Sequence, residues 1–145
     1  MPRTKASLKA LREQVGLSQQ NVADALRVNI KTVKNWENPS KTAYKIPDDV
    51  WNYLDKVAEV QKQQVSYFLG VLSKQVEEIG EEPILVPITY YRNQAMYDQF
   101  GRDEGPVGWA NAVARLTAYE LDRRGIAYEF RYPSEGAIRT EGSRY

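Results

Sequence analysis

The chain has 145 residues, 42% hydrophobic and 27% charged, the composition of an ordinary soluble protein with one domain or two small ones. It contains no cysteine and no histidine, which excludes disulfides, thiolate metal sites, cysteine nucleophiles and imidazole bases and leaves an enzyme only carboxylates, Lys, Ser, Thr and Tyr. The net charge of +1 conceals an asymmetry: residues 1–46 hold nine Lys or Arg against three Asp or Glu, and residues 47–145 hold eleven against sixteen, so one end of the chain suits a polyanion and the other does not.

The basic start, Met1-Pro2-Arg3-Thr4-Lys5, has no apolar run behind it, and nowhere do apolar residues accumulate to the length of a membrane span. The expectation is a cytoplasmic protein without membrane contact. A first helix is predicted from a Thr4 cap to about Val15, with Leu8, Leu11 and Val15 as its buried stripe, and Gly16 ends it.

Residues 16–38 then spell two short helices with a tight corner. Ser18 can cap the first by accepting the amide of Asn21, and Val22, Ala23, Ala25 and Leu26 recur at helical spacing. Asn29 can cap the second, in which Val33 and Trp36 form the buried pair. The face left open carries Lys31, Thr32, Lys34 and Asn35, the cations and short hydrogen-bonding groups that meet phosphates and base edges.

Leu17-Ser18-Gln19, Val22-Ala23-Asp24-Ala25-Leu26 and Thr32-Val33-Lys34-Asn35-Trp36-Glu37-Asn38 resemble the helix-turn-helix of the lambda-repressor/Cro-like (XRE) family over roughly residues 6–46. The resemblance implies a DNA-binding head in which Ile30, Lys31 and Asn35 read bases, while Gln19, Thr32, Lys34, Asn38, Lys41 and Lys45 hold phosphates of double-stranded DNA. It also implies a structural set: Arg12 and Glu37 joined as an ion pair, with Val33 and Trp36 in the core. Two positions depart from the family pattern. Pro39 follows Asn38 where glycine is usual, and Arg27 stands where the corner often has glycine, which predicts a wider corner.

After a loop over 39–45, Ile46-Pro47-Asp48-Asp49 has the proline and acids of a helix first turn. This helix is predicted to reach about Ile79, some 33 residues and about 50 Å. Its later half carries a coiled-coil-like seam, Val65, Leu69, Leu72, Val76 and Ile79, expected to form a homodimer interface. Gly70 and Gln61-Lys62-Gln63-Gln64 are expected weak points. A strand follows over 83–91, then a helical turn or two over 92–99, a loop, and a helix with Trp109, Ala112, Val113, Leu116 and Tyr119 on one face. A second strand is expected over 126–132, pairing in parallel with the first. Residues 133–145 are polar and expected to be a mobile tail.

The expected organisation is a helix-turn-helix domain over 1–46, a dimerisation domain of long helix and strand-helix-strand over 47–132, and the tail. The fold class is mainly α with a small α+β C-terminal part. Trp36-Glu37-Asn38, Ile46-Pro47-Asp48-Asp49 and Ala118-Tyr119-Glu120-Leu121 also resemble the anti-CRISPR-associated (Aca) autorepressors, which implies a homodimeric repressor on an inverted repeat, often its own promoter. The paired acids Glu77/Glu78, Glu81/Glu82 and Asp103/Glu104 are sequence neighbours that do not face each other across a cleft, and no phosphate loop is present, so no enzyme activity and no cofactor are expected. The alternatives are an antitoxin whose C-terminal half holds a protein toxin, with Tyr90, Tyr91, Tyr97, Tyr119, Tyr128 and Tyr132 as candidate contacts, and RNA binding through the basic face.

Overall fold

In the computed structural model, which describes residues 3–135, Thr4 accepts a hydrogen bond from the Ser7 amide at 3.0 Å and starts α1 (Lys5–Gln14). Gly16, at φ 79°, turns the chain out of it. Next come α2 (Gln19–Leu26), α3 (Ile30–Glu37) and α4 (Asp48–Ile79). Leu8, Leu11, Val15, Leu17, Val22, Ala23, Val33 and Trp36 are all buried, which is the apolar periodicity of the sequence turned inward. The compact units of the chain divide inside α4, between Glu59 and Val60, and not at 46/47 where the composition shifts. Val50, Trp51, Leu54 and Val57, all buried, belong to the first unit.

The second unit is built around β1 (Val86–Thr89) and β2 (Tyr128–Arg131), joined through α5 (Gln94–Phe100) and α6 (Val107–Arg123). The strands pair in parallel with Val86 opposite Tyr128 and Ile88 opposite Phe130. Parallel pairing needs a long crossover, and the two helices provide it. Alanines 110, 112, 114 and 118 with Val113 and Leu121 give α6 a small-residue face, and Val86 and Ile88 share a core with several of them. Asn111 stands in for a strand partner: its side-chain oxygen accepts the Tyr91 amide at 2.9 Å and its nitrogen donates to the Tyr91 carbonyl at 2.8 Å. A buried amide is tolerated there because both ends are satisfied. Tyr91 and Tyr97 meet edge to face at 4.9 Å, both fully buried.

The architecture is mainly α with a small sheet in the C-terminal part, and several side chains differ from expectation. Val65 and Leu69 are buried in the second unit's own core, with Leu72 half-buried against it, so Val65 and Leu69 are already covered within the chain itself. Heptad spacing marks a buried stripe without saying which chain covers it. The seam leaves that core only at its end, where Val76 is half-buried and Ile79 is 72% exposed. At the Gln61–Gln64 run α4 stays unbroken, although the compact units divide just before it; Gln61 and Gln64 are buried, and Gln64 accepts the indole N–H of Trp109 at 3.1 Å. Tyr119 is 63% exposed, because the inner face of α6 centres on Val113, Thr117 and Leu121. Of the expected tail, Pro133–Glu135 forms one 3-10 turn and the rest lies outside the described residues. Among the described residues no helix is long and apolar enough to cross a membrane.

Candidate nucleic-acid interface

Helix α2 begins with a reciprocal cap: the Ser18 hydroxyl accepts the Asn21 amide at 3.0 Å, and the Asn21 side chain accepts the Ser18 amide at 2.9 Å. Three residues, 27–29, connect α2 to α3. Arg27 takes the left-handed conformation itself (φ 56°, ψ 44°), the conformation a glycine would otherwise supply at this step. Among the described residues it is the one non-glycine at positive φ, a conformation that costs an L-residue about 1 kcal/mol. Asn29 then accepts the Lys31 amide at 2.8 Å and starts α3.

Successive residues of α3 turn by 100°, which sets Lys31, Lys34 and Asn35 within an arc of about 100° opposite Val33. Val33 and Trp36 are buried, Lys31 and Lys34 are exposed, and Ile30, Thr32 and Asn35 are half-buried along the rim. Lys41 and Lys45 are exposed in the loop that follows. Two of the predicted phosphate contacts are partly engaged within the protein. Gln19 donates to Glu37 Oε1 at 3.2 Å. The Asn38 side-chain oxygen accepts from the Ser40 amide at 3.0 Å and the Ser40 hydroxyl at 2.7 Å, which leaves its NH2 group to meet a ligand.

What fixes α3 is charge held at its C-terminal end. Arg12 donates to both oxygens of Glu37, Nε to Oε2 at 2.6 Å and Nη2 to Oε1 at 2.9 Å, and through Nη1 to the Leu17 carbonyl at 2.9 Å. The two side chains are only 10% and 5% exposed. The hydrogen bond to Glu37 raises the pKa of Arg12 above its ordinary value against the opposing effect of burial. Lys5, thirty residues away on α1, donates to the carbonyls of Asn35 at 3.0 Å, Trp36 at 3.1 Å and Tyr44 at 2.8 Å. A helix followed by Pro39 has no glycine to fold back on its last carbonyls, and this ammonium satisfies them and opposes the negative end of the helix dipole. Neither periodicity nor spacing singles out Lys5. The signal in the sequence was the missing glycine after Asn38, which requires some other group to satisfy the helix end.

A buried scaffold thus presents a short helix whose free face offers two ammonium groups, an amide, a hydroxyl and an aliphatic side chain. That set donates to anionic oxygens and matches base edges; among the described residues no group of three or more acidic side chains is arranged to hold a metal. Helix, three-residue corner and cationic second helix are the features of a helix-turn-helix regulator. The chain belongs to the Aca2/YdiL-like family, whose model matches residues 4–124, from the α1 cap to the end of α6. No curated protein matches the chain.

Proposed function

We propose that the protein is a sequence-specific transcriptional repressor of the XRE type that binds double-stranded DNA as a homodimer on an inverted repeat, its own promoter being the first candidate. It works in the cytoplasm without a catalytic step or cofactor. The observation that carries this reading is the open face of α3, where Lys31, Lys34 and Asn35 stand together opposite the buried Val33 and Trp36. Family membership supports a regulatory role. In this reading Asn35 reads an adenine edge and Lys31 a neighbouring base, Ile30 meets a thymine methyl, and Thr32, Lys34, Lys41 and Lys45 hold phosphates.

The dimer follows from the small footprint of one recognition helix; a two-fold pair reads two half-sites about 34–36 Å apart. Val76 and Ile79, where the α4 seam runs past its own core, together with Ile84, 95% exposed, are the apolar groups this reading assigns to the contact. The test is fluorescence anisotropy with the DNA upstream of the protein's own coding sequence. Asn35→Ala should lose about 1–3 kcal/mol on the specific duplex and far less on random DNA. Equal losses on both duplexes would remove Asn35 from base reading, and failure of the wild type to prefer its upstream DNA over random DNA would count against autoregulation.

A further inference from the structure

The first unit contains a cleft beside α3, sharing Lys45 with the phosphate contacts proposed above. It has a volume of about 400 Å³ and lies between the start of α1, the 39–47 loop and the start of α4. Arg3, Lys5 and Lys45 line it against a single carboxylate, Asp48, and Thr42 adds a hydroxyl. Two helices, α1 and α4, begin at its wall, so their free amides add partial positive charge to the cations. The cations are not equivalent. Lys5 has its three donors on three carbonyls, whereas Lys45 is exposed with no partner among the described residues. Arg3 is docked, with Nη1 2.9 Å from Asp48 Oδ1 and its guanidinium 5.7 Å from the centre of the Trp51 ring.

The geometry points to a phosphate-binding site in this cleft, with Lys45 and Arg3 as the ligands, Thr42 as a hydroxyl donor and Asp48 as the resident competitor that holds Arg3 until phosphate replaces it. A phosphate group is the fitting ligand because it takes a forked guanidinium, an ammonium and a hydroxyl at once. The phosphate belongs either to the backbone of bound DNA or to a free phosphorylated molecule. Lys5 bolts this cleft to the last carbonyls of α3, so either source would sit at the end of the recognition helix. The DNA source rests on the function proposed above; the free source does not.

Three full-length proteins decide it: wild type, Asp48→Asn, and Arg3→Gln with Lys45→Gln. Their thermal midpoints are compared first, to show that each is folded. Each is titrated with inorganic phosphate and with ATP by NMR, and with a random-sequence duplex over a range of salt. If the source is DNA, the double variant removes one phosphate contact and lowers the slope of log affinity against log salt by about one unit, and Asp48→Asn tightens binding severalfold, while neither free probe saturates. If the source is free, one of the free probes saturates in the wild type, binds tighter to Asp48→Asn and is lost in the double variant. Saturable phosphate binding by a protein that binds no DNA would keep the cleft and remove the repressor function. DNA binding with unchanged slope and affinity in both variants, and no saturation by either free probe, would keep the repressor function and overturn the cleft. Absence of binding in every arm overturns both.

Discussion

Replacing Glu37 by Gln keeps the shape of the side chain and removes its charge, isolating what the Arg12–Glu37 pair contributes. In the folded protein the guanidinium has three donors engaged, at 2.6, 2.9 and 2.9 Å, and its side chain is 10% exposed. A glutamine amide would turn one of its two ends, a donor, toward another donor. Breaking a buried pair on one side costs about 3–5 kcal/mol, and the surviving bond to the Leu17 carbonyl puts this case near the lower figure. A unit of this size has a total stability on the order of 3–9 kcal/mol, so the loss is a large share of it. Urea titration followed by tryptophan fluorescence, with Trp36 and Trp51 both in the first unit, measures it. Arg12→Met combined with Glu37→Met should recover at least half of the loss, since two apolar side chains leave no buried charge. The raised Arg12 pKa means that the arginine contribution is complete below the ordinary arginine value and is lost only as pH rises above it, so the arginine side adds no pH dependence to the loss near neutrality. A loss below about 1 kcal/mol for Glu37→Gln, or a double variant as unstable as the sum of its singles, would refute the reasoning.

Arg27→Gly should stabilise the first unit by about 1 kcal/mol by relieving the left-handed strain, less the extra freedom glycine gives the unfolded chain; a lower urea midpoint would count against the strain. The Thr89 hydroxyl is buried without a hydrogen-bond partner among the described residues, so Thr89→Val should raise the stability of the second unit by about 1 kcal/mol in a urea titration followed at its Trp109, and a drop would mean that the hydroxyl is satisfied in solution. Val76→Lys together with Ile79→Lys should shift the protein from dimer to monomer in sedimentation at micromolar concentration with its helical circular dichroism intact. A dimer that survives both lysines would move the interface elsewhere.

Helix starts were legible because a cap is a local event. Thr4, Ser18 and Asn29 each bond an amide two or three residues on, and the residue types are sufficient to find them. The inner faces of α1 and α3 followed from periodicity for the same reason, whereas in α2 only Val22 and Ala23 of the expected face are buried, Ala25 being exposed and Leu26 half-buried. The second unit was less legible. The spacing of Val65 and Leu69 is identical whether α6 and the sheet cover them or another subunit does, and Gln61 and Gln64 look like surface residues until an indole N–H is found to meet one of them. At the recognition helix the groups facing outward could be read from the sequence, but not what holds the helix. Arg12 and Glu37 came from family resemblance, and Lys5 reaches across thirty residues to backbone carbonyls; the missing glycine after Asn38 shows that some group must satisfy them but not which one.

The register of the sheet bears on how the chain folds during synthesis. Val86 waits for Tyr128, so the only strand pairing in the described chain closes a loop of about forty residues, whereas α1, α2 and α3 make their contacts within a few turns of one another. Contacts this local form early, and a ribosome adding about 5–20 residues per second leaves the first unit emerging seconds ahead of β2. Until Tyr128–Arg131 has been made, Val86–Thr89 is an edge with no neighbour, and a chain that stops short of it carries the recognition helix without a completed second unit.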